Sequence, residues 1–305
     1  MSWTATAKSS VEPSGKLQLE LAGPRQSTTP YSSTEMTTLA QTVQKDLLAA
    51  IERDDVMLPT LPEVALDIRE AAENHNINVI DLSKVIGRDI ALSARLIKVV
   101  NSPLLRGSSE VTALHTAITR LGVNYSCNLA IGLVMEQIFN ARSAVIEHKM
   151  REIWTTSVQI AGIAYELCRQ SKTSLKPDQA ALAGMVHQIG VLPILTYAEE
   201  HNELLSDAVC LNHVIDSIHP LIGERILKKW DFPATLVKIP QSYLRLSREA
   251  GPADYADVIQ IASLLNQPAR EGASISTLDS WKRLGLSDRP PMSHEELESA
   301  RQLLA

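Results

Sequence analysis

The chain has 305 residues, 45% of them hydrophobic but only 4% aromatic, and a formal net charge of −6 at pH 7. This length is enough for one or two packed cores, and an apolar content dominated by Leu, Ile, Val and Ala suits helix-on-helix packing better than a β-sandwich. The acidic balance excludes a global basic field for nucleic acid, although a local basic face remains possible.

The cysteines and the apolar runs indicate the compartment. Cys127, Cys168 and Cys210 are odd in number and far apart, which argues against a disulfide framework or a zinc site and for buried free thiols in a reducing cytoplasm. No uninterrupted apolar run reaches the roughly 18 residues of a membrane span. The opening MSWTATAKSS lacks the apolar stretch of a secretory signal. We therefore expect a cytoplasmic protein without a membrane span.

Residues 1–35 are rich in Ser, Thr, Pro and Gly and show no sustained periodicity. Such a segment cannot bury enough apolar surface to offset the entropy lost on ordering, so we predict a flexible tail. The stretch KLQLEL within it alternates apolar and polar residues, which leaves a short ordered piece possible.

From residue 36 to about 140, apolar residues recur at helical spacing. The pattern predicts a helix ending near Ile51 and a second one starting near Glu63. Asp81 and Asp89 are predicted to cap the next two helices. Because Gly87 lies between these two, the pair is similar in spacing to a helix-turn-helix. Two more helices follow, with a break at Gly122.

Residues 141–305 continue in the same way, beginning with a long amphipathic helix over 147–170. A helix that starts at Pro177 is predicted to break at Gly190 and Pro193. Pro220 is predicted to lie in the first turn of another helix, which ends near Phe232. Further helices are predicted at 255–267, 274–286 and 293–305. The predicted fold class is thus all-α, with helical subdomains at 36–140 and 141–305.

His187 and His219 are the candidates for metal chemistry, because both lie in apolar helical surroundings. Hydrolysis by a metal needs several ligands that converge on one cation, together with a water that the cation acidifies. Two neutral imidazoles alone hold a divalent cation weakly. Gln188, directly after His187, offers a neutral carbonyl oxygen where a metal enzyme needs a charged carboxylate.

Five segments, taken in order, resemble an HDOD domain over residues 57–246. They are LPTLPEV, LSKVIGRDIALSARLIKVVNSP, AITRLG, LAGMVHQIGVLPIL and HPLIGERILKKWDFP. The resemblance implies a fold similar to the HD-type metal phosphohydrolases, with the metal ligands generally lost. It also implies a setting in bacterial signal transduction.

The resemblance carries the HD-type ligand positions onto this chain, and most of them hold other residues. The histidine is kept at His187 and at His219, but the aspartate paired with the first is replaced by Gln188. The positions of the relic site are Thr156, His187, Gln188, His219, Tyr243, Leu244 and Ser263. The missing ligands predict no metal, no cofactor and no catalytic residue.

A second candidate surface is a basic face on the helix-turn-helix-like pair, formed by Arg88, Arg95 and Lys98. Their spacing allows them to align on one side of the pair. A solvated helical surface is the plainer interpretation, because no aromatic residues are interleaved. Asn101 is predicted to end the preceding helix in a left-handed conformation. His213, Asp216 and His219 are spaced three residues apart, as a set of metal ligands could be, but they are expected on an irregular segment before Pro220 that partly faces solvent.

The leading hypothesis is a non-enzymatic regulatory module that binds protein partners, with response regulators or cyclic-dinucleotide enzymes as possible partners. One alternative is a cryptic metal-dependent phosphohydrolase acting on nucleotides or cyclic dinucleotides. Another is a small-ligand sensor that uses the relic cavity, and a nucleic-acid binder is less favoured. The sequence leaves the partner, the signal and the oligomeric state open.

Overall fold

The structure is a computed structural model that describes residues 33–53, 58–74, 77–201, 204–205, 208–248, 251–267 and 275–304. None of these residues forms a β-strand, and the regular elements are helices, which confirms the all-α prediction. The predicted tail lies outside the described residues up to residue 32, and so does KLQLEL.

The helices of the first half are α1 (Ser33–Glu52), α2 (Glu63–Glu73), α3 (Val79–Ile86), α4 (Ile90–Val100), α5 (Leu114–Leu121) and α6 (Val123–Val134). Those of the second half are α7 (Ala144–Gln170), α8 (Pro177–Val186), α9 (Val191–Glu200), α10 (Ala208–Lys229), α11 (Ala234–Val237), α12 (Ile239–Ser242), α13 (Tyr255–Asn266), α14 (Asp279–Arg283) and α15 (His294–Arg301). Short 3-10 turns occur at Met135–Ile138 and Ile275–Thr277.

Side-chain caps fix the starts of α3 and α4. Asp89 caps α4 as predicted, because its carboxylate accepts a hydrogen bond from the amide of Leu92 at 3.0 Å. The prediction that Asp81 caps α3 is wrong, since Asn78 is the cap and Asp81 lies inside the first turn. A carboxylate is favourable there too, near the positive end of the helix dipole, so both residues fit a helix start.

Gly122 separates α5 from α6 as predicted. Its φ of +85° is in the left-handed region, which glycine adopts without steric cost. The break between α8 and α9 is the turn 187–190, which ends at Gly190 as predicted. The predicted break at Pro193 is wrong. Pro193 is the third residue of α9, where its missing N–H would have had no partner within the helix.

The prediction that Pro220 opens a helix is also wrong, because α10 begins at Ala208 and encloses it. His213 and Asp216 therefore lie on a helix and not on an irregular segment. An internal proline removes a backbone hydrogen bond and strains the preceding turn. The apolar side chains Val214 and Ile218 are fully buried on α10, and this burial offsets that cost.

One hydrophobic core runs through the described residues from Val43 to Leu304 and receives side chains from both predicted subdomains. The division at residue 140 stays a prediction. Cys127, Cys168 and Cys210 are buried, as expected, and the first two are free thiols. Burial raises the pKa of Cys127 to about 11 and that of Cys168 to about 12, so both thiols are protonated at neutral pH.

The segment Pro177–Glu200 is long and apolar enough to cross a membrane, judged by length and composition alone. However, 89% of its most apolar stretch is buried inside the protein, and the turn 187–190 interrupts the helix. Its apolar character is therefore accounted for by its place in the core, where it positions His187.

Candidate functional site: a closed histidine cluster

His187 follows the last residue of α8, and it is held there by close packing of that helix on α7. A Cβ added at Gly184 would lie 2.4 Å from Cα of Ala161, so only glycine permits this approach. Nδ1 of His187 lies 2.6 Å from the carbonyl oxygen of Gly184. Because a carbonyl only accepts, Nδ1 carries the proton and Nε2 carries a lone pair. This Nε2 is buried without a hydrogen-bond partner among the described residues.

His219 reaches the same place from α10. A Cβ added at Gly190 would meet the carbonyl oxygen of His219 at 2.1 Å, so the turn after His187 lies directly against the backbone of α10. Both imidazoles are completely buried. Two glycines, at 184 and 190, thus bring the two histidines together, and the sequence alone did not indicate their role.

Tyr243 packs against both imidazoles. Its ring centroid is 4.9 Å from that of His187, nearly edge-on at 88°, and 6.2 Å from that of His219. The Tyr243 hydroxyl lies 3.5 Å from Nε2 of His219, a long hydrogen bond, and also pairs with the side chain of Gln188. We call these four residues, His187, Gln188, His219 and Tyr243, the histidine cluster.

Burial keeps the histidine cluster uncharged. Desolvation lowers the pKa of His187 to about 4, although its hydrogen bond to Gly184 opposes the shift. Desolvation and the neighbouring His187 lower the pKa of His219 to about 3. Desolvation also raises the pKa of Tyr243 above its ordinary value. At neutral pH both imidazoles and the phenol are therefore neutral.

Asp216 lies one turn before His219 on α10, and sequence reasoning missed it as a site residue. Desolvation raises its pKa to about 7, while Lys149 opposes the shift. Burial lowers the pKa of Lys149, whose Nζ donates to Oδ1 of Asn212 at 3.2 Å. Asp216 and Lys149 thus form a partly buried ionisable pair beside the cluster. A helix predicted to begin before Asp216 would have revealed this residue.

The remaining relic positions are less closely tied to the cluster. Thr156 is half-buried on α7, and its neighbour Ser157 is buried there instead. Ser263 is buried on α13, and its hydroxyl, like that of Ser157, has no partner among the described residues. The interactions of the described residues do not connect Thr156 or Ser263 to His187. Their assignment to the site stays a prediction.

The donor set does not fit a divalent metal of the kind that HD-type enzymes use. His187 offers one free lone pair at Nε2, whereas Nε2 of His219 already faces the hydroxyl of Tyr243. Gln188 brings no charge. Within the part of the chain that the structure describes, no group of three His, Cys, Asp or Glu side chains could hold a metal ion. Such a site needs about four ligands, usually with a carboxylate among them.

Arg88 and Lys98 of the basic face are exposed and Arg95 is half-buried, and acidic side chains neutralise two of the three. Arg88 forms an ion pair with Asp67 at 2.8 Å, and Arg95 pairs with Glu136. Lys98 is exposed and has no ion pair among the described residues. The resulting surface is weakly charged, which is poor for phosphate binding.

Asn101 ends α4, but not in the predicted left-handed conformation, since its φ is −90°. Its side chain instead bonds both backbone groups of Val111. It donates to the carbonyl at 2.7 Å and accepts from the amide at 2.8 Å. Asn101 therefore closes the loop after α4, which is a structural role.

These features define a class of protein: an all-helical domain that encloses a buried and uncharged histidine cluster. The chain belongs to the HDOD domain family, whose family model matches residues 58–243. This match confirms the resemblance and lies within the predicted 57–246 core.

Solved structures support the same fold. A protein of Shewanella amazonensis SB2B, named as a candidate metal-dependent phosphohydrolase, has a TM-score of 0.75 and 28% identity, with 88% of this chain and 100% of that chain covered. An HDOD domain protein of unknown function from Geobacter sulfurreducens has a TM-score of 0.61 and 16% identity, covering 88% of this chain and 94% of that one.

A curated protein of Treponema pallidum (strain Nichols), whose name assigns no function, is 22% identical over 273 residues, or 87% of this chain. The chain spans about half of that relative, since 52% of its length is covered. A candidate signal transduction protein from Marinobacter aquaeolei VT8 is similar in fold, with a TM-score of 0.60 and 21% identity over 86% of this chain and 64% of that chain.

Proposed function

We propose that this protein is a non-enzymatic regulatory module of bacterial signal transduction that acts in the cytoplasm by binding partner proteins. The observation that carries the proposal is the histidine cluster. Its imidazoles are neutral and buried, its amide replaces a carboxylate, and a tyrosine ring packs against both histidines. A phosphohydrolase needs an acidified water on an open metal, and this arrangement offers neither the charge nor the access.

Exposed apolar side chains on the first half of the molecule support the binding role. Ile80 on α3 is 63% exposed and Ile90 on α4 is 83% exposed. When a partner covers a large aliphatic side chain that was exposed to water, the complex is stabilised by about 25 cal/mol per Å² of apolar surface buried. Response regulators and cyclic-dinucleotide enzymes are the partner classes that fit the family setting.

Two alternatives each have one observation in their favour. The name of the Shewanella amazonensis protein favours a metal-dependent phosphohydrolase, for which nucleotides or cyclic dinucleotides would be the substrates to test. The unpartnered Nε2 of His187 and Nδ1 of His219 favour a sensor for a small neutral ligand, since a buried polar group without a partner costs about 1–3 kcal/mol.

A hydrolysis assay tests the non-enzymatic part of the proposal. The purified protein is incubated with nucleotides, cyclic dinucleotides and p-nitrophenyl phosphate, each with Mn²⁺, Fe²⁺ or Zn²⁺. We expect no turnover that depends on His187. The matched variants are His187→Ala and His148→Ala, because His148 lies exposed on α7. Turnover abolished by the first variant and kept by the second would overturn the proposal.

A binding assay tests the partner part. Purified response regulators and cyclic-dinucleotide enzymes are titrated against the wild type, Ile90→Asp and Val145→Asp by calorimetry. Val145 is a matched control, because it is similarly exposed but lies at the start of α7. We expect at least one partner whose binding is lost with Ile90→Asp alone. Absence of binding across the panel would count against this part.

A further inference from the structure

The C-terminal segment, residues 275–304, lies beyond the residues that match the family, and it holds both ends of α13. At the first turn, the Nε of Arg283 lies 3.2 Å and 3.1 Å from the two carboxylate oxygens of buried Asp257. At the last turn, Arg301 donates to the carbonyls of Leu265 at 3.4 Å and Asn266 at 3.2 Å. Two arginines of the segment thus bind the first and the last turn of α13.

The middle of α13 connects the segment to the histidine cluster through one buried amide. The hydroxyl of Ser280 donates to Oε1 of Gln260 at 2.7 Å. Nε2 of Gln260 in turn donates to the backbone carbonyls of Tyr243 at 3.1 Å and Arg245 at 2.6 Å. Gln260 therefore connects α14 to Tyr243, whose ring packs against both histidines.

The segment is also an integral part of the core. Trp281 and Leu284 are buried, and a Cβ added at Gly162 would meet the carbonyl oxygen of Ala300 at 2.0 Å, so α15 lies directly on α7. Asp257 is completely buried and relies on Arg283 together with Arg248, at 2.9 Å. If the segment left α13, Asp257 would keep Arg248 but lose Arg283, and a buried carboxylate that loses a partner is strongly destabilised. We therefore expect the segment to detach as a whole and not in part.

We propose that the C-terminal segment is an intramolecular clasp that holds the histidine cluster closed, with Gln260 as the positioning residue between Ser280 and Tyr243. Displacement of the segment removes the Ser280 hydrogen bond that orients the side chain of Gln260, so that Gln260 releases the Tyr243 carbonyl and both imidazoles become exposed. This inference goes beyond the proposed function and stands or falls separately from it, because it concerns access to the cluster and not metal or partner binding.

The test uses the full chain with Gln260→Leu and Ser280→Ala, and with Lys282→Ala as the control. Lys282 lies on the same helix, and its ion pair with Asp279 is exposed. Hydrogen exchange is followed by mass spectrometry over residues 187–190 and 243–245. Reaction of His187 and His219 with diethyl pyrocarbonate is mapped in parallel.

We expect exchange over both stretches to be about tenfold faster in Gln260→Leu, with a smaller rise in Ser280→Ala and none in Lys282→Ala. Modification of His187 and His219 should rise in step, while peptides from α2–α4 keep the wild-type rate. An unchanged cluster in Gln260→Leu overturns the clasp. So does a rise that is equal in α2–α4, because that is global destabilisation. If Gln260→Leu does not fold, Ser280→Ala carries the same test, since it removes only one hydroxyl.

Discussion

The histidine cluster and the basic face differ in how the fold treats polar groups. In the cluster, burial removes charge, so that neutral side chains pack and bond with one another. On the basic face, the charges persist in water, and Asp67 and Glu136 neutralise two of them. Polar residues at the spacing of a functional site therefore cannot be interpreted until their burial is known. Packing determines the charge state of the histidine cluster, and solvation determines that of the basic face.

Truncation of Tyr243 should have the largest effect. Tyr243→Ala removes a ring that is almost completely buried and packs against two histidines, and we expect the free energy of unfolding to fall by about 3–5 kcal/mol. Ile90→Ala, at an exposed site, should change it by less than about 0.5 kcal/mol. Urea denaturation measures both. Similar losses in the two variants would break the distinction between a packed and a solvated region.

The pH dependence of stability should come next. His187 and His219 have folded pKa values of about 4 and 3 against 6.5 in the unfolded chain, so between about pH 4 and 6.5 the unfolded state binds two more protons. Asp216, at about 7 when folded and 3.8 when unfolded, gives the folded state one more proton in that window. The unfolded state therefore binds one more proton in total, so the free energy of unfolding should fall by about 1.4 kcal/mol for each unit by which the pH falls in this window.

Asp216→Asn sharpens this prediction, because it removes the opposing proton and should make the slope about twice as steep. Denaturation between pH 4.5 and 8 measures it. A slope that is unchanged by Asp216→Asn would mean that this carboxyl is not held protonated by burial.

Restoring the missing carboxylate should be unfavourable. Gln188→Asp places an ionisable group in a buried site that has no cation, and we expect a loss of about 2 kcal/mol at pH 7. We also expect no tight metal binding, because Tyr243 still faces His219. Thermal unfolding with and without Mn²⁺ measures both effects. A large Mn²⁺-dependent rise in the melting temperature of the variant would show that the lost carboxylate alone had disabled the site.

The smallest effects are expected on the basic face. Arg88→Ala breaks an exposed ion pair and should cost about 0.5 kcal/mol or less. Neither this variant nor Lys98→Ala should alter the retention of the protein on duplex DNA at low salt. Salt-dependent DNA binding that either variant weakens would make this face a nucleic-acid site after all.

Local signals in the sequence predicted much of the fold. The helix period, the cap at Asp89 and the glycine break at Gly122 are confirmed, because each depends on the chain's immediate neighbours. Pro220 was misassigned, because burial of distant side chains against α10 overrides the local preference for a helix start. The same error hid Asp216 and placed His213 on an irregular segment.

The sequence indicates which residues of the candidate site lie close together, but not their chemistry, and their role as a site stays a prediction. Motif order led to His187, Gln188, His219 and Tyr243, and the structure brings these four together. Their tautomers, their lowered or raised pKa values and the link through Gln260 depend on long-range packing. Gln260 in particular gave no signal, because a lone glutamine on an apolar helix is indistinguishable by pattern from a surface residue.

The central claim is that the histidine cluster is closed to metal. Its most direct test is the metal content of the purified, untagged protein by elemental mass spectrometry after mild dialysis. We expect less than about a tenth of an equivalent of any transition metal, because the described side chains of the cluster offer too few ligands, and no carboxylate, to hold a cation. A stoichiometric metal that is lost in His187→Ala or His219→Ala would contradict the account.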